Sequence, residues 1–274
     1  MHLGFIGAGN MASAIIAGII DQGEANSGLK ITPSDITVFD VNTEKVTSLS
    51  QSFGIGTASS AQAIVENCDY IILAVKPQTL PGLITEIKDQ VNVKLPVIVS
   101  IAAGTSLETL NNLFGSSQLP IIRVMPNVNV AVQSAMSALS QNGQVSDGDF
   151  EQVKSIFDAV GETVILPEKS FSAFTALAGS SPAFVLLFID AMSRAGVEAG
   201  IPKAQATFIA TQAVLGSAKL ALNNPKSPWE LIDTVCSPGG TTIAGLLALE
   251  DRAFISTVVH GIRETIKRDQ ELGE

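Results

Sequence analysis

Cysteine, histidine, tryptophan and tyrosine are nearly missing from these 274 residues: two, two, one and one. Two cysteines, Cys68 and Cys236, cannot build a disulfide framework, and His2 and His260 leave too little for zinc, so no metal site is expected. Basic residues are scarce as well. Sixteen Lys and Arg stand against 26 Asp and Glu, a net charge of −10, whereas nucleic acid and anionic membranes reward clustered Lys and Arg. Neither is an expected partner. No uninterrupted apolar run reaches the ~18 residues of a membrane span, although 46% of the chain is hydrophobic and 15% charged. With aromatics at 5%, that apolar content comes from Ala, Ile, Val and Leu, and Trp229 and the phenylalanines read as core. The N-terminus shows no basic segment ahead of an apolar stretch, which points to a cytoplasmic protein.

What is present is an alternation of short β-rich runs with amphipathic segments. Strands are expected at Leu3 to Ile6, Ile36 to Phe39, Tyr70 to Ala74, Val97 to Ile101 and Ile121 to Met125. Each is apolar on both faces, as a sheet covered by helices requires. Helices are expected at 11–21, 43–52, 60–67, 80–91 and 106–113. This predicts an α/β domain, a Rossmann-type doubly wound parallel sheet, over residues 1–165. After Ser146 the strands thin out to one near Val164, and residues 166–274 read as an all-α C-terminal domain. Its segments Pro182 to Gly200 and Pro202 to Asn223 are long and rich in small residues. Helices apolar round much of their circumference need cover, so these are expected to pack against the same helices of a second copy, as a homodimer or higher homo-oligomer.

Directly after the first strand stands Gly7-Ala8-Gly9-Asn10-Met11-Ala12, a G-x-G-x-x-A pattern opening a helix. Gly7 permits the tight turn, Gly9 lets a pyrophosphate approach, and Ala12 allows helix and strand to pack closely. The helix N-terminus then holds phosphate charge. A tight strand-to-helix turn without a ligand fits the same letters, but the βαβ context points to dinucleotide binding. Asp40 ends the second strand, where an acid accepts from the ribose hydroxyls of NAD and repels a 2′-phosphate. Asn42 and Lys45 would instead meet a phosphate if Asp40 turns away, and an acidic loop without contact is the third reading.

Other segments are more specific. Asp233-Thr234-Val235-Cys236-Ser237-Pro238-Gly239-Gly240-Thr241-Thr242-Ile243-Ala244-Gly245 closely resembles the signature of the pyrroline-5-carboxylate reductase family. Ala74-Val75-Lys76-Pro77, Ser100-Ile101-Ala102-Ala103-Gly104, Arg123-Val124-Met125-Pro126-Asn127 and Gly179-Ser180-Ser181-Pro182-Ala183-Phe184 resemble that family's blocks, in its order. The resemblance runs from about Gly4 to Leu272. It implies a nucleotide-binding domain, a helical dimerisation domain, and reduction of the C=N bond of 1-pyrroline-5-carboxylate to L-proline by NADPH or NADH. NADP is the expected cofactor, with NAD possible because of Asp40.

The resemblance also implies roles. Gly7, Ala8, Gly9, Asn10, Met11, Asp40, Asn42, Val75, Lys76, Pro77, Ala102, Ala103 and Asn127 are expected against the cofactor. Ser237, Gly239, Gly240, Thr241 and Thr242 are expected at the substrate carboxylate, with Glu168 near the same pocket. Thr242, or a water it holds, is the candidate for serving the ring nitrogen. Physically, Pro238-Gly239-Gly240 is a turn without bulky side chains ahead of a helix, so backbone N–H groups and hydroxyls converge as an anion site. An ordinary capped turn, with Thr241 or Thr242 as N-cap, is the alternative. Bland readings stand beside the others: a solvated lysine at Lys76, a helix-approach loop at 102–104, a surface glutamate at Glu168, a turn-former at Asn127.

The chain departs from the family at Val128-Asn129, where Thr-Pro is usual, and at Asp40, where a neutral or hydroxyl residue is common. Cys236 reads as a buried structural thiol. A related reductase of a hydroxy or keto acid would need a protonating Lys or His, and none stands in a motif of the helical half. A nucleotide sensor without turnover would not need the second anion loop. The resemblance and the position of that loop also suggest that a neighbouring subunit completes the pocket.

Overall fold

The computed structural model describes residues 1–24 and 31–273. Its contacts divide the chain into two units, residues 1–179 with 266–274, and residues 180–265. The division lies later than the expected boundary after residue 165, because the stretch from Glu168 to Gly179 packs with the sheet. Phe171 and Phe174 in this stretch are buried with Ala138 and Met125.

The sheet unit contains β1 (Leu3–Ile6), α1 (Asn10–Glu24), β2 (Ile36–Phe39), α2 (Thr43–Phe53), β3 (Gly56–Thr57), α3 (Ala61–Asn67), β4 (Tyr70–Leu73), α4 (Leu80–Lys94), β5 (Val97–Ser100), α5 (Leu107–Phe114), β6 (Ile121–Met125), β7 (Ala135–Gln141), α6 (Asp147–Asp158), β8 (Gly161–Ile165) and the short α7 (Phe171–Phe174). Sheet order is β3-β2-β1-β4-β5-β6-β7-β8. The first six strands run parallel, with Leu3 opposite Ile36 on one side and Tyr70 on the other. Period-two alternation splits their side chains between two buried layers. Leu3, Phe5, Ile72, Val97 and Val99 enter one, and Ile6, Ile71, Leu73 and Ile98 the other, which is why the strands are apolar on both faces.

The expected elements are present, with ends shifted by a few residues. Two strands were not expected: β3, of two residues, and β7, which runs antiparallel to β6 with Val124 opposite Leu139. Ala-Met-Ser-Ala-Leu-Ser-Gln has little intrinsic strand preference, and its pairing with β6 and β8 overrides that.

After a π-helical turn at Thr175–Ser180 come α8 (Ser181–Glu198), α9 (Lys203–Leu222), α10 (Pro228–Val235), α11 (Thr241–Asp251) and α12 (Phe254–Gly273). In the helical unit α8 and α9 approach closely where a Cβ on Gly196 would lie 3.0 Å from Ala206 Cβ. The buried Ser193 hydroxyl meets Thr207 Oγ1 at 2.8 Å. Phe5, Phe114, Phe150, Phe157, Phe171 and Phe174 are buried as expected, but the reading of Trp229 and the helical unit's phenylalanines as core needs correction. Trp229 is 53% exposed and Phe208 72%, and Leu186, Leu187 and Ile209 are exposed with them, because a single copy of these helices cannot cover their own apolar circumference. The absence of an uninterrupted apolar run does not stop one helical stretch from reaching membrane length and mean apolarity. The helical stretch Glu168–Glu198 is long and apolar enough by length and composition, and only 11% of that window is buried within the chain.

Candidate functional site

Parallel strands put their carboxyl ends on one edge, and the order of this sheet reverses between β1 and β4. Such a switch point opens a crevice. Five of the expected cofactor segments collect along that edge, following β1, β2, β4, β5 and β6 in turn. Gly7 has φ +113°, and a Cβ there would lie 2.5 Å from the carbonyl oxygen of Ala74, so the turn passes directly over the end of β4. Gly9 is different: a Cβ there meets nothing within 4 Å. Ala12 is fully buried, as close helix–strand packing demands. The structure therefore provides open space at Gly9 directly before the first turn of α1, which fits a pyrophosphate.

Asp40 turns toward this loop. Its Oδ2 accepts from the Ala8 N–H at 2.7 Å and its Oδ1 from the Asn42 N–H at 2.8 Å, so the carboxylate is anchored at the glycine turn. Asn42 is the N-cap of α2, accepting from the Glu44 and Lys45 N–H groups. Its oxygen is thereby committed inside the protein. Lys76 is exposed and starts a 3-10 turn, Pro77–Thr79. Ala103 and Gly104 are exposed, while Ala102 is buried and its N–H faces Ser100 Oγ at 3.4 Å.

Asn127, expected against the cofactor, is 5% exposed. Its Oδ1 accepts from the Asn129 and Met136 N–H groups, and its Nδ2 donates to the Ala178 carbonyl at 2.9 Å. It holds the chain between β6 and β7 against the π-helical turn, a positioning duty. Glu168 is likewise bonded within the sheet unit. Its Oε1 accepts from Arg123 Nη1 and from the Leu107 N–H, both at 2.7 Å. Both lone-pair directions of that oxygen are used within the sheet unit. Arg123 was not singled out from sequence, although a lone basic residue within Ile-Ile-Arg-Val-Met was the available signal.

The helical unit holds the other group. Ser237 to Gly240 forms a turn closed by the Gly240 N–H and the Ser237 carbonyl at 3.0 Å. Pro238 occupies its second position, and Gly239, at φ +68°, the third, a type II signature. The Ser237 hydroxyl lies so close over Gly240 that no Cβ would fit. α11 then begins with Gly240 as its N-cap and without a side-chain cap or an acid in its first turn. The alternative of Thr241 or Thr242 as N-cap is therefore excluded: both are exposed and helical. Uncapped N–H groups and two hydroxyls, next to glycines, suit a small carboxylate. Thr242 also lines a cavity of about 360 Å³ with Leu220, Leu231, Val235, Cys236 and Leu246. Cys236 is half-buried rather than buried. Among the described residues no cluster of His, Cys, Asp or Glu could hold a metal ion.

Comparison with known proteins gives a consistent result. A family profile described as pyrroline-5-carboxylate reductase dimerisation matches residues 168–272, and one described as NADP oxidoreductase coenzyme F420-dependent matches residues 2–104. The pyrroline-5-carboxylate reductase of Escherichia coli (strain K12) is 38% identical over 272 residues, covering 99% of this chain and 98% of that protein. A solved pyrroline-5-carboxylate reductase from Coxiella burnetii superposes with a TM-score of 0.92 at 29% identity, covering 100% and 98% of the two chains. The Plasmodium falciparum pyrroline carboxylate reductase, solved with NADP bound, gives 0.86 at 28% identity, with the same coverage.

Proposed function

The chain belongs to the pyrroline-5-carboxylate reductase family, and from that premise we propose how its residues divide the reaction. The enzyme is an NAD(P)H-dependent oxidoreductase that reduces 1-pyrroline-5-carboxylate to L-proline, the last step of proline biosynthesis. NADP is its cofactor, as in the relative from Plasmodium falciparum, and Asp40 leaves NAD as an alternative. The Gly7-Ala8-Gly9-Asn10-Met11 turn holds the pyrophosphate, Val75-Lys76-Pro77 flanks it, and the small residues Ala102 and Ala103 leave room for the nicotinamide. When bound, NAD(P)H supplies the hydride that the C=N carbon accepts.

The chain's own residues supply positioning, which carries most of the catalysis when the electrophile is already activated. The N–H groups at the start of α11 and the Ser237 to Thr241 turn hold the carboxylate. Thr242 Oγ1, or a water it holds, hydrogen-bonds the ring nitrogen and keeps its proton in place while the carbon gains hydride. The observation carrying this reading is the uncapped, acid-free start of α11 directly after two glycines. In a chain of net charge −10 such a helix end is a local anion site. Loss of reduced-nicotinamide absorbance with pyrroline-5-carboxylate, run with each cofactor, tests the activity. Folded protein that oxidises neither cofactor overturns it. Thr242→Val should lower kcat roughly 10- to 100-fold with the cofactor Kd nearly unchanged; undiminished kcat removes Thr242 from the mechanism.

The exposed apolar side chains of α8 and α9 are the surface through which copies of the chain associate, with the homodimer as the basic assembly. Covering this face also accounts for the apolar stretch Glu168–Glu198 without a membrane. The enzyme works in the cytoplasm, where its acidity keeps it soluble.

A further inference from the structure

Strand β6 carries one charged residue, Arg123, beside Ile121, Ile122 and Val124, which are sealed from solvent. Arg123 is itself only 8% exposed. Removing an ion pair from water is costly, and well-packed apolar residues in its place are often as stable or more so. Stability alone therefore gives no reason for a guanidinium here. Its contacts give one. Arg123 Nη1 reaches Glu168 Oε1 at 2.7 Å, and the guanidinium lies 4.5 Å from the ring centre of Phe171. The same Glu168 oxygen accepts the N–H of Leu107, the first residue of α5. One carboxylate oxygen thus joins β6, the stretch leaving β8, and the helix that follows the Ala102-Ala103-Gly104 turn.

Arg123 and Met125 share one face of β6, and together with Asn127, two residues beyond the strand, they grip both ends of the stretch from Glu168 to Gly179. Arg123 holds its start. Asn127 holds the Ala178 carbonyl, and the Met125 methyl lies 3.4 Å from where a Cβ on Gly179 would stand. The grip is specific in direction, because a planar guanidinium stacked on a ring and bonded to a carboxylate has little freedom to turn.

We propose that Arg123 is a positioning residue for hydride transfer: through Glu168 it fixes the start of α5, and with it the Ala102-Ala103-Gly104 turn against which the nicotinamide lies. Glu168 then serves the turn and not the substrate. The proposal rests on the cofactor reading above. It is tested with Arg123→Met, Arg123→Lys, Glu168→Gln and the double variant Arg123→Met/Glu168→Gln, in steady-state assays, cofactor titrations and thermal melts. Arg123→Met and Glu168→Gln should each lower kcat roughly 10- to 100-fold while the cofactor Kd stays within about threefold. With cofactor deuterated at the transferred position, the isotope effect on kcat should rise, because hydride transfer itself has slowed. Arg123→Lys should restore part of the loss, and the double variant should be no worse than the poorer single one.

A folded Arg123→Met enzyme with wild-type kcat and isotope effect overturns the proposal, as do losses that multiply in the double variant. If Arg123→Met fails to fold, Glu168→Gln, which keeps the side-chain shape, decides by the same readouts. Inactivity of the wild-type enzyme with pyrroline-5-carboxylate would instead overturn the functional reading.

Discussion

Gly7 and Gly9 stand two residues apart in one turn, and an added methyl group should harm them in opposite ways. At Gly7 the backbone has φ +113° and the new Cβ would sit 2.5 Å from the Ala74 carbonyl oxygen. A left-handed conformation costs an L-residue about 1–2 kcal/mol, and displacing β4's end adds about 1–3 kcal/mol of overpacking. Gly7→Ala should therefore lose about 2–5 kcal/mol, on the order of 5–15 °C in melting temperature. At Gly9 a Cβ meets nothing within 4 Å, so the cost is only that of a poorer helix cap, about 0.5–1 kcal/mol. The methyl group would, however, occupy the space that the pyrophosphate needs. Gly9→Ala should melt within roughly 3 °C of the wild type and bind NADPH at least about tenfold more weakly, a loss of about 1.4 kcal/mol. Thermal melts with and without cofactor, together with fluorescence titration, separate the two effects. Unchanged NADPH affinity in Gly9→Ala, or equal destabilisation by both substitutions, refutes the reasoning.

Asp40→Ser removes the charge held against the glycine turn, and should shift kcat/KM from NADH toward NADPH by about tenfold or more; an unchanged ratio would show that Asp40 does not sense the 2′-phosphate. Leu187→Glu puts a charge on the exposed apolar face of α8 and loses about 1.5–3 kcal/mol of burial in each copy. Sedimentation should then show a smaller species, and an unaltered assembly would exclude this face as the interface. Tyr70 is the only tyrosine, so absorbance titration reads it alone. Burial, and then the hydrogen bond it donates to Asp149 at 2.6 Å, push its pKa well above the usual value. The folded form thus favours the neutral phenol: this contribution is whole below about pH 10, the unfolded value, and is lost as pH rises through the folded pKa. The native protein should show little phenolate at about pH 10, and half-ionisation there in folded protein would contradict the buried hydrogen bond.

The parts of the molecule legible in its sequence are those whose cause is local. Strand and helix periods, the glycine turn and the Pro-Gly-Gly-Thr-Thr loop each depend on residues within one or two turns of chain. What escaped depends on partners distant along the chain. β7 is a strand because β6 and β8 flank it, and Glu168 is tied to Arg123 45 residues away. Asn127 joins Ala178 across a span of 51. The aromatic residues of the helical unit were misread for the same reason, since local apolarity does not say whether the described residues of one copy cover them.

Net acidity poses a sharper question: how a chain of charge −10 attracts two anions. In the reading proposed above, helix ends supply the answer, and the chain distributes them unevenly. α2, α3, α5, α6 and α10 each close their first turn with an Asn or Ser of their own. An anion finds those N–H groups already bonded. Among the described helices, α1 and α11 are the two that begin directly after a glycine, a residue with no side chain to close the turn, and neither carries an acid in its first turn. These are the helix starts assigned to the pyrophosphate and to the substrate carboxylate. Within the first, Asp40 takes the Ala8 N–H for itself, which leaves the donors of α1 for the pyrophosphate and sets a negative charge beside the place where a 2′-phosphate would come. On that reading affinity and selectivity arise from which backbone donors are left open, and the bulk charge of the protein acts only through the field that screening removes beyond about 10 Å.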